Sequence, residues 1–531
     1  MFEPVIAPSA SLLGLLQRGR GDGQLHALAA DRTEAIAALE ECVTRDPRAD
    51  WQVENRSLYY ARLYMELEAP LDGIEDHLHS PEDLLDEDEA RTGLALSVLG
   101  HLAAYGRRDA LLMLREYAAT GTSWAWALDE LALRDDDRGL LLLGTAVLDR
   151  FAPGPEGDAE LRETVRSAYE PRPWRLWAAY HPRVAAASEQ APFDVWQRQL
   201  NRSGVTPGWS TADVLAWADQ GELGSLGAAA FAGGPVRSGA SHDGGPGPDA
   251  VDRRAAAAAR CLAAVVRPED RPEVLEAART GLPGARRAAL RHLVDRQDPA
   301  AAGLIEAAAA EVDDRLVRFA LELLGRMRGP EALAHARRWA DPATGGADSA
   351  LGEAAVRLLA DAGEPTDAPL VVGGLRRWVL LHGVSGADAG LGTLVDGAGR
   401  LTATEAVPVL RHIYGEAVSS ELRGRAARAL AATDVHFPEG PAVECLWDCE
   451  ESTRELAARH VATTGDARVL ERLRRLAADP AEEAEVHAAV RGRLTSARSV
   501  VPGVRVIGME PGSTSRPRRR PAPGCPRTPG R

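Results

Sequence analysis

An alanine recurs in one local setting at Ala289, Ala320, Ala355, Ala427, Ala458 and Ala489. The steps between them are 31, 35, 72, 31 and 31 residues, and 72 equals two units of about 36 with a degenerate copy between them. A large aliphatic residue follows within four positions in five copies, as Leu293, Leu324, Leu359, Leu430 and Val461, and Leu494 follows Ala489 at five. A small residue one turn before a large one lets a helix approach its neighbour closely and interlock with it. The spacing therefore predicts a repeat array, in which each unit buries its face against adjacent units and function lies in an extended surface.

Each unit reads as a helix pair. Arg315 to Leu324 has apolar positions at helical spacing and stops at Gly325, a residue able to take up a left-handed cap. Gly329-Pro330 opens a second helix that runs to Ala340, and Asp341-Pro342 closes it, because proline favours a first turn and disfavours a helical residue before it. The same order returns at Arg454 to Val461, a turn at Thr464, Gly465 and Asp466, a helix from Ala467 to Ala477, and a break at Asp479-Pro480. With these Asp-Pro breaks and the Arg-x-Ala of Arg318-Phe319-Ala320 and Arg425-Ala426-Ala427, the segment resembles HEAT repeats, and in its shorter period the HEAT-like repeats of phycobilin lyases. The resemblance implies an all-α fold, a right-handed α-solenoid of stacked helix pairs whose second helices line a concave surface. The Thr-Pro-Leu-His of ankyrin repeats and the Trp-x-x-Leu-Gly of tetratricopeptide repeats are absent.

Hydrophobic residues make up 45% of the chain and aromatics only 5%, so the core must be built from Ala, Leu and Val, which favours helices. Val371-Val372 and Val500 to Ile507 are too short or isolated to imply a sheet. Residues 1–150 are expected to hold diverged repeats, with helices at Glu34 to Val43, Asn55 to Leu67, Arg91 to Ala104, Arg108 to Ala119 and Asp135 to Val147. Residues 151–232, broken by seven prolines from Pro153 to Pro207 and carrying Trp174, Trp177, Trp196, Trp209 and Trp217, read as a helical joint. Residues 233–250 read as a flexible Gly/Pro linker, 251–495 as the HEAT-like array, and 496–531 as a disordered basic tail containing Arg516 to Pro521.

Charge and missing residue types narrow the function. Residues 1–150 carry a net −14 and the last 36 residues a net +7, so nucleic acid is expected to meet the chain only through the tail. The chain contains no lysine, which excludes a phosphate-loop lysine and a pyridoxal Schiff base. Gly390-Leu391-Gly392 with Gly397 follows no strand and misses the dinucleotide spacing. Glu75 and His79, four apart, with Asp76, His77, Glu82 and Asp83 nearby, offer zinc-type ligands. The acids from Glu82 to Glu89, however, precede a helix whose positive end they favour. HEAT-like iron hydroxylases carry His-Glu pairs, and this chain has no His-Glu dipeptide. Cys445 and Cys449, one turn apart, read as buried thiols, and Trp174 and Trp177 as filling of a repeat junction. No metal or organic cofactor is expected. Neither a leader at Met1 nor a membrane span is visible, since the longest apolar run, Gly139 to Leu148, is half of the roughly 20 residues a span needs. With five cysteines, an odd number without paired spacing, the protein is expected in the cytoplasm.

The expected function is a non-enzymatic scaffold for a protein partner. The alternatives are a nucleic-acid-binding or alkylated-base-repair protein, which HEAT-like folds include, and a bilin lyase-like enzyme, after the repeat's namesake. Arg287, Arg318 and Arg425 each stand two residues before a repeat alanine, about 200° around a helix of 3.6 residues per turn. They are therefore expected to face away from the core and to pair with carboxylates of the partner.

Overall fold

The computed structural model describes residues 5–48, 54–80, 89–188, 209–219, 248–344, 346–384, 389–464 and 466–499. Every regular element among them is helical. In the C-terminal half the first row comprises Pro248–Val265, Pro283–Asp295, Asp314–Leu324, Ala350–Ala362, Ala389–Arg400, Ser420–Thr433, Glu451–His460 and Ala484–Ser499, each packed on the next. A second row lies between them in the chain: Arg271–Thr280, Ala301–Ala309, Pro330–Ala340, Ala368–His382, Val407–Glu416, Pro441–Cys445 and Ala467–Ala478. Each second-row helix packs on the first-row helix that follows it.

The repeat alanines explain the first row. Ala289, Ala320, Ala355, Ala427 and Ala458 are fully buried, and their aliphatic partners lie in the same core. The degenerate copy is Ala389–Arg400. Thr402 ends that helix in the left-handed region at φ 49, as Gln297 ends Pro283–Asp295 at φ 54. Counting back from these caps, Leu394 takes the place of Ala289, and Ala398 that of Leu293. The order of large and small is inverted, and close approach moves to Gly397 and Gly399, where a Cβ would strike Ala360 and Ala429. One local expectation is corrected: Gly325 is right-handed at φ −61, and Gly329 takes the positive φ, at 95, just before Pro330.

The five helices expected before residue 150 occur as Arg32–Thr44, Ser57–Glu66, Glu89–Ala104, Arg108–Thr120 and Asp137–Leu148, with Leu12–Gln17, Gly21–Ala29, Asp72–Leu78 and Trp124–Arg134 in addition. Three helices of this half, Leu12–Gln17, Ser57–Glu66 and Glu89–Ala104, use the same cap. Gly19, Glu68 and Gly106 are left-handed, and the residue after each donates back into its helix: Arg20 N to Leu15 O at 3.2 Å, Ala69 N to Tyr64 O at 2.9 Å and Arg107 N to Leu102 O at 3.0 Å. Asp298 N to Leu293 O and Ala403 N to Ala398 O repeat that bond in the C-terminal half.

The described residues of 151–232 divide between the halves. Pro155–Ser167, Arg172–Ala178 and Pro182–Ser188 join the N-terminal helices, with Trp174 and Trp177 buried and Trp177 Nε1 donating to Leu140 O at 2.8 Å. Thr211–Asp219 instead packs on Pro248–Val265 and Pro283–Asp295. Trp196, most of the expected linker and the tail from residue 500 lie outside the described residues. Helix occupies both margins of the array, from Pro248 and to Ser499, where linker and tail were expected.

Candidate functional site at the join of the halves

The two halves have separate apolar cores, and Cys449 is the one described residue of the C-terminal half within the N-terminal core. What joins them is mainly a ladder of hydrogen bonds and ion pairs, with Leu25 packed on the C-terminal core. The turns at 417–419, 446–450 and 479–483 each lead from a second-row helix into a first-row helix, and at them stand Glu416 (the last helical residue before the first turn), Asp448, and Asp479 with Glu482. Asp448 and Asp479 are 31 residues apart, one repeat. The N-terminal helices lie across these three turns.

At the first turn, Ser9 Oγ donates to Glu416 Oε1 at 2.7 Å and Arg56 Nη2 to Val418 O at 2.9 Å. At the second, Arg423 holds Asp448 through two bonds of 2.8 and 3.0 Å and donates to Arg18 O at 2.6 Å, while Cys449 N donates to Gly19 O at 3.0 Å. Both Arg423 and Asp448 side chains are fully buried. At the third, Arg62 donates to Asp479 and Glu482 at 2.9 Å each, Tyr105 Oη donates to Asp479, and Arg454 grips Glu482 at 2.7 and 3.0 Å. A buried carboxylate is tolerable only when its charge is matched and its lone pairs are taken. The ladder meets both conditions at Asp448 and Glu482.

Burial alone would raise the Glu482 carboxyl, but Arg454 and Arg62 hold it down at about 2. Nearby Glu444 goes the other way: burial pushes it up to about 6 although Arg20 holds both its oxygens, at 2.9 and 3.1 Å. Arg472 is nearly buried, and burial, with Arg62 and Arg454 beside it, pulls it down to about 9. A guanidinium keeps its proton at neutral pH regardless. It rests over the Trp447 ring at 5.2 Å and donates from Nε to Leu446 O.

Beside the ladder lies a cleft of about 740 Å³, walled by Arg20, Asp22 and Leu25 from one half and by Tyr414, Val443, Val469 and neighbouring residues from the other. Its cations are matched locally. Arg411 bonds Asp434 at 2.9 and 2.6 Å, and Arg468 bonds Asp466 at 2.9 Å.

The three arginines singled out from sequence do not form one exposed row. Arg287 is only 4% exposed, its Nε donating to Pro283 O at 3.2 Å, because Thr211–Asp219 covers its helix and brings Asp219 beside it. Arg318 is exposed and donates to Asp314 O of its own helix at 3.4 Å. Arg425 is half-buried and pairs with Glu421 and Asp396. Cys445 and Cys449 are free and buried, and burial pushes both thiols well up, away from the reactive thiolate. Glu75 lies on Asp72–Leu78, which His79 caps, and among the described residues no three potential ligands group together. No described helix is long and apolar enough to cross a membrane.

Sequence reasoning missed the ladder, although its signal was present. Four residues before Ala289, Ala320 and Ala355 stand Ala285, Leu316 and Leu351, whereas Ala427 and Ala458 are preceded there by Arg423 and Arg454. A guanidinium at an otherwise apolar position marks the repeats on which a polar surface is covered. No protein-family model matches the chain, and no curated protein matches it.

Proposed function

We propose that the chain is a non-enzymatic scaffold of HEAT-like character, a right-handed α-solenoid that holds a protein partner in the reducing cytoplasm. The observation that carries this reading is the stepwise packing of the first row, each helix on the next, with a buried repeat alanine in five of its helices. A stack built from nearest-neighbour contacts grows in length and offers a long surface, the form suited to another polypeptide. The buried ladder holds the halves in fixed register, so that surface is preorganised and binding costs little ordering. Free, buried thiols suit a reducing compartment. Of the three arginines, Arg318 is exposed, and Arg425, held by Glu421 and Asp396, is partly so, and these two would meet a partner's carboxylates.

The test uses the full-length chain purified from its own cells, with each co-purifying protein then made separately and re-bound. The reading expects one protein to re-bind at fixed stoichiometry, more weakly as salt rises, and at least tenfold more weakly when Arg318→Gln and Arg425→Gln are combined. Failure of every recovered protein to re-bind rejects the scaffold. Re-binding that ignores the double variant rejects only the arginine face.

A further inference from the structure

The second-row helix Pro441–Cys445 has five residues, whereas its neighbours Val407–Glu416 and Ala467–Ala478 have ten and twelve. Where the row's helix runs out, the cleft opens. The Gly21–Ala29 helix of the other half closes one end, with Gly21 set so near Glu444 O that a Cβ there would collide.

Its lining has a definite character. Leu25 and Val443, both half-buried, give an aliphatic floor over the fully buried Val469, and Leu28, one helical turn beyond Leu25, is 43% exposed. The arginines on the rim, Arg411, Arg468 and Arg20, are matched by Asp434, Asp466 and Glu444. Glu439 is exposed and, among the described residues, joins no ion pair. The unspent charge of the cleft is therefore acidic.

We infer that this slot docks a short amphipathic helix of a partner protein, its aliphatic face on Leu25 and Val443 and a basic side chain opposite Glu439. The inference rests on the scaffold reading and gives it a place. A helix is the fitting occupant because the slot continues a row of helices at the point where one is truncated. An amphipathic helix presents its anchors at i, i+3, i+4 and i+7, the pattern that fills an aliphatic groove. Because Arg20, Asp22 and Leu25 come from the N-terminal half, the slot is complete only while the ladder is closed.

The experiment is selection of displayed random peptides on the immobilised full-length chain, with soluble Val443→Trp chain as competitor. Expected are peptides with aliphatic residues at helical spacing and a flanking Arg or Lys, binding Val443→Trp at least tenfold and Glu439→Arg several-fold more weakly. Leu380→Ser, exposed on the Ala368–His382 helix and outside the cleft lining, should bind them as wild type does. Peptides that bind Val443→Trp and Glu439→Arg as well as wild type, selected peptides that are extended or acidic, or none above background would each overturn the slot. Should Val443→Trp lose helicity, Glu439→Arg at an exposed site decides alone. A native partner that re-binds normally to both variants sinks the slot and leaves the scaffold standing.

Discussion

Arg62 and Glu482, 420 residues apart in the sequence, meet at 2.9 Å with both side chains nearly buried. Arg454, from the C-terminal half itself, takes the same carboxylate at 2.7 Å, so one acid is shared between the two halves. Its folded value of about 2 lies below the ordinary 4.5. The stability it contributes is complete above pH about 4.5 and is lost as the pH falls toward 2, about 3 kcal/mol in all. Urea midpoints measured from pH 6 to 2.5 should fall along this limb in wild type and flatten in Glu482→Gln. An equally steep limb in the variant would contradict the assignment.

Glu444 has the opposite sign. Its folded value of about 6 lies above the ordinary 4.5, so its contribution is present below pH about 4.5 and is lost as the pH rises through 6. Between pH 4.5 and 7.5 the stability difference between Glu444→Gln and wild type should move in the variant's favour by about 2 kcal/mol. A difference that stays constant with pH would show that the carboxyl titrates normally.

The Arg423 and Asp448 pair is fully buried, and removal of one member leaves a charge without its partner. Arg423→Ala and Asp448→Asn should each cost about 3–5 kcal/mol, and a double-mutant cycle should return a coupling above about 2 kcal/mol. Hydrogen exchange adds a local readout. The Cys449 amide, which bonds Gly19 O across the join, should exchange faster in both variants than amides of Asp314–Leu324. Additive single effects would remove the pair from the ladder.

Thr402 is β-branched and left-handed at φ 49, a conformation that costs an L-residue about 1–2 kcal/mol. Gly106 holds the same kind of cap at φ 89, with open space where a Cβ would lie. Thr402→Gly should therefore raise stability by about 0.5 kcal/mol after the cost of a more flexible unfolded chain, and Gly106→Ala should lower it by about 1 kcal/mol. Thermal midpoints that move in the same direction would contradict the shared cap.

The helical class and the C-terminal units were legible because Ala289, Ala320, Ala355, Ala427 and Ala458 do one physical job, close helix approach. The N-terminal units were not legible at that level. Counting back from the caps Glu68 and Gly106, Tyr60 with Tyr64 and Val98 with Leu102 stand where the alanine and its leucine would be. Large side chains there set the helices apart by a different fit, and the small-residue signal vanishes. Arg287 misled for another reason: helical geometry fixes which way a residue points from its own helix, but not that Thr211–Asp219 lies over it. The join itself depends on contacts more than 400 residues apart, such as Arg62 with Glu482 and Arg20 with Glu444, which no local pattern announces.

The absence of lysine makes the join directly measurable. In Arg20→Lys the new amine is the chain's one lysine side chain, placed beside Glu444, which is 424 residues away in sequence. Zero-length carbodiimide coupling in dilute solution, followed by peptide mass spectrometry, should yield an amide between residues 20 and 444 within single chains. The bond should be lost when Arg423→Ala opens the ladder. Coupling of residue 20 only to its neighbour Asp22, or to Glu444 only between chains, would contradict the docking of the N-terminal half on the last three repeats.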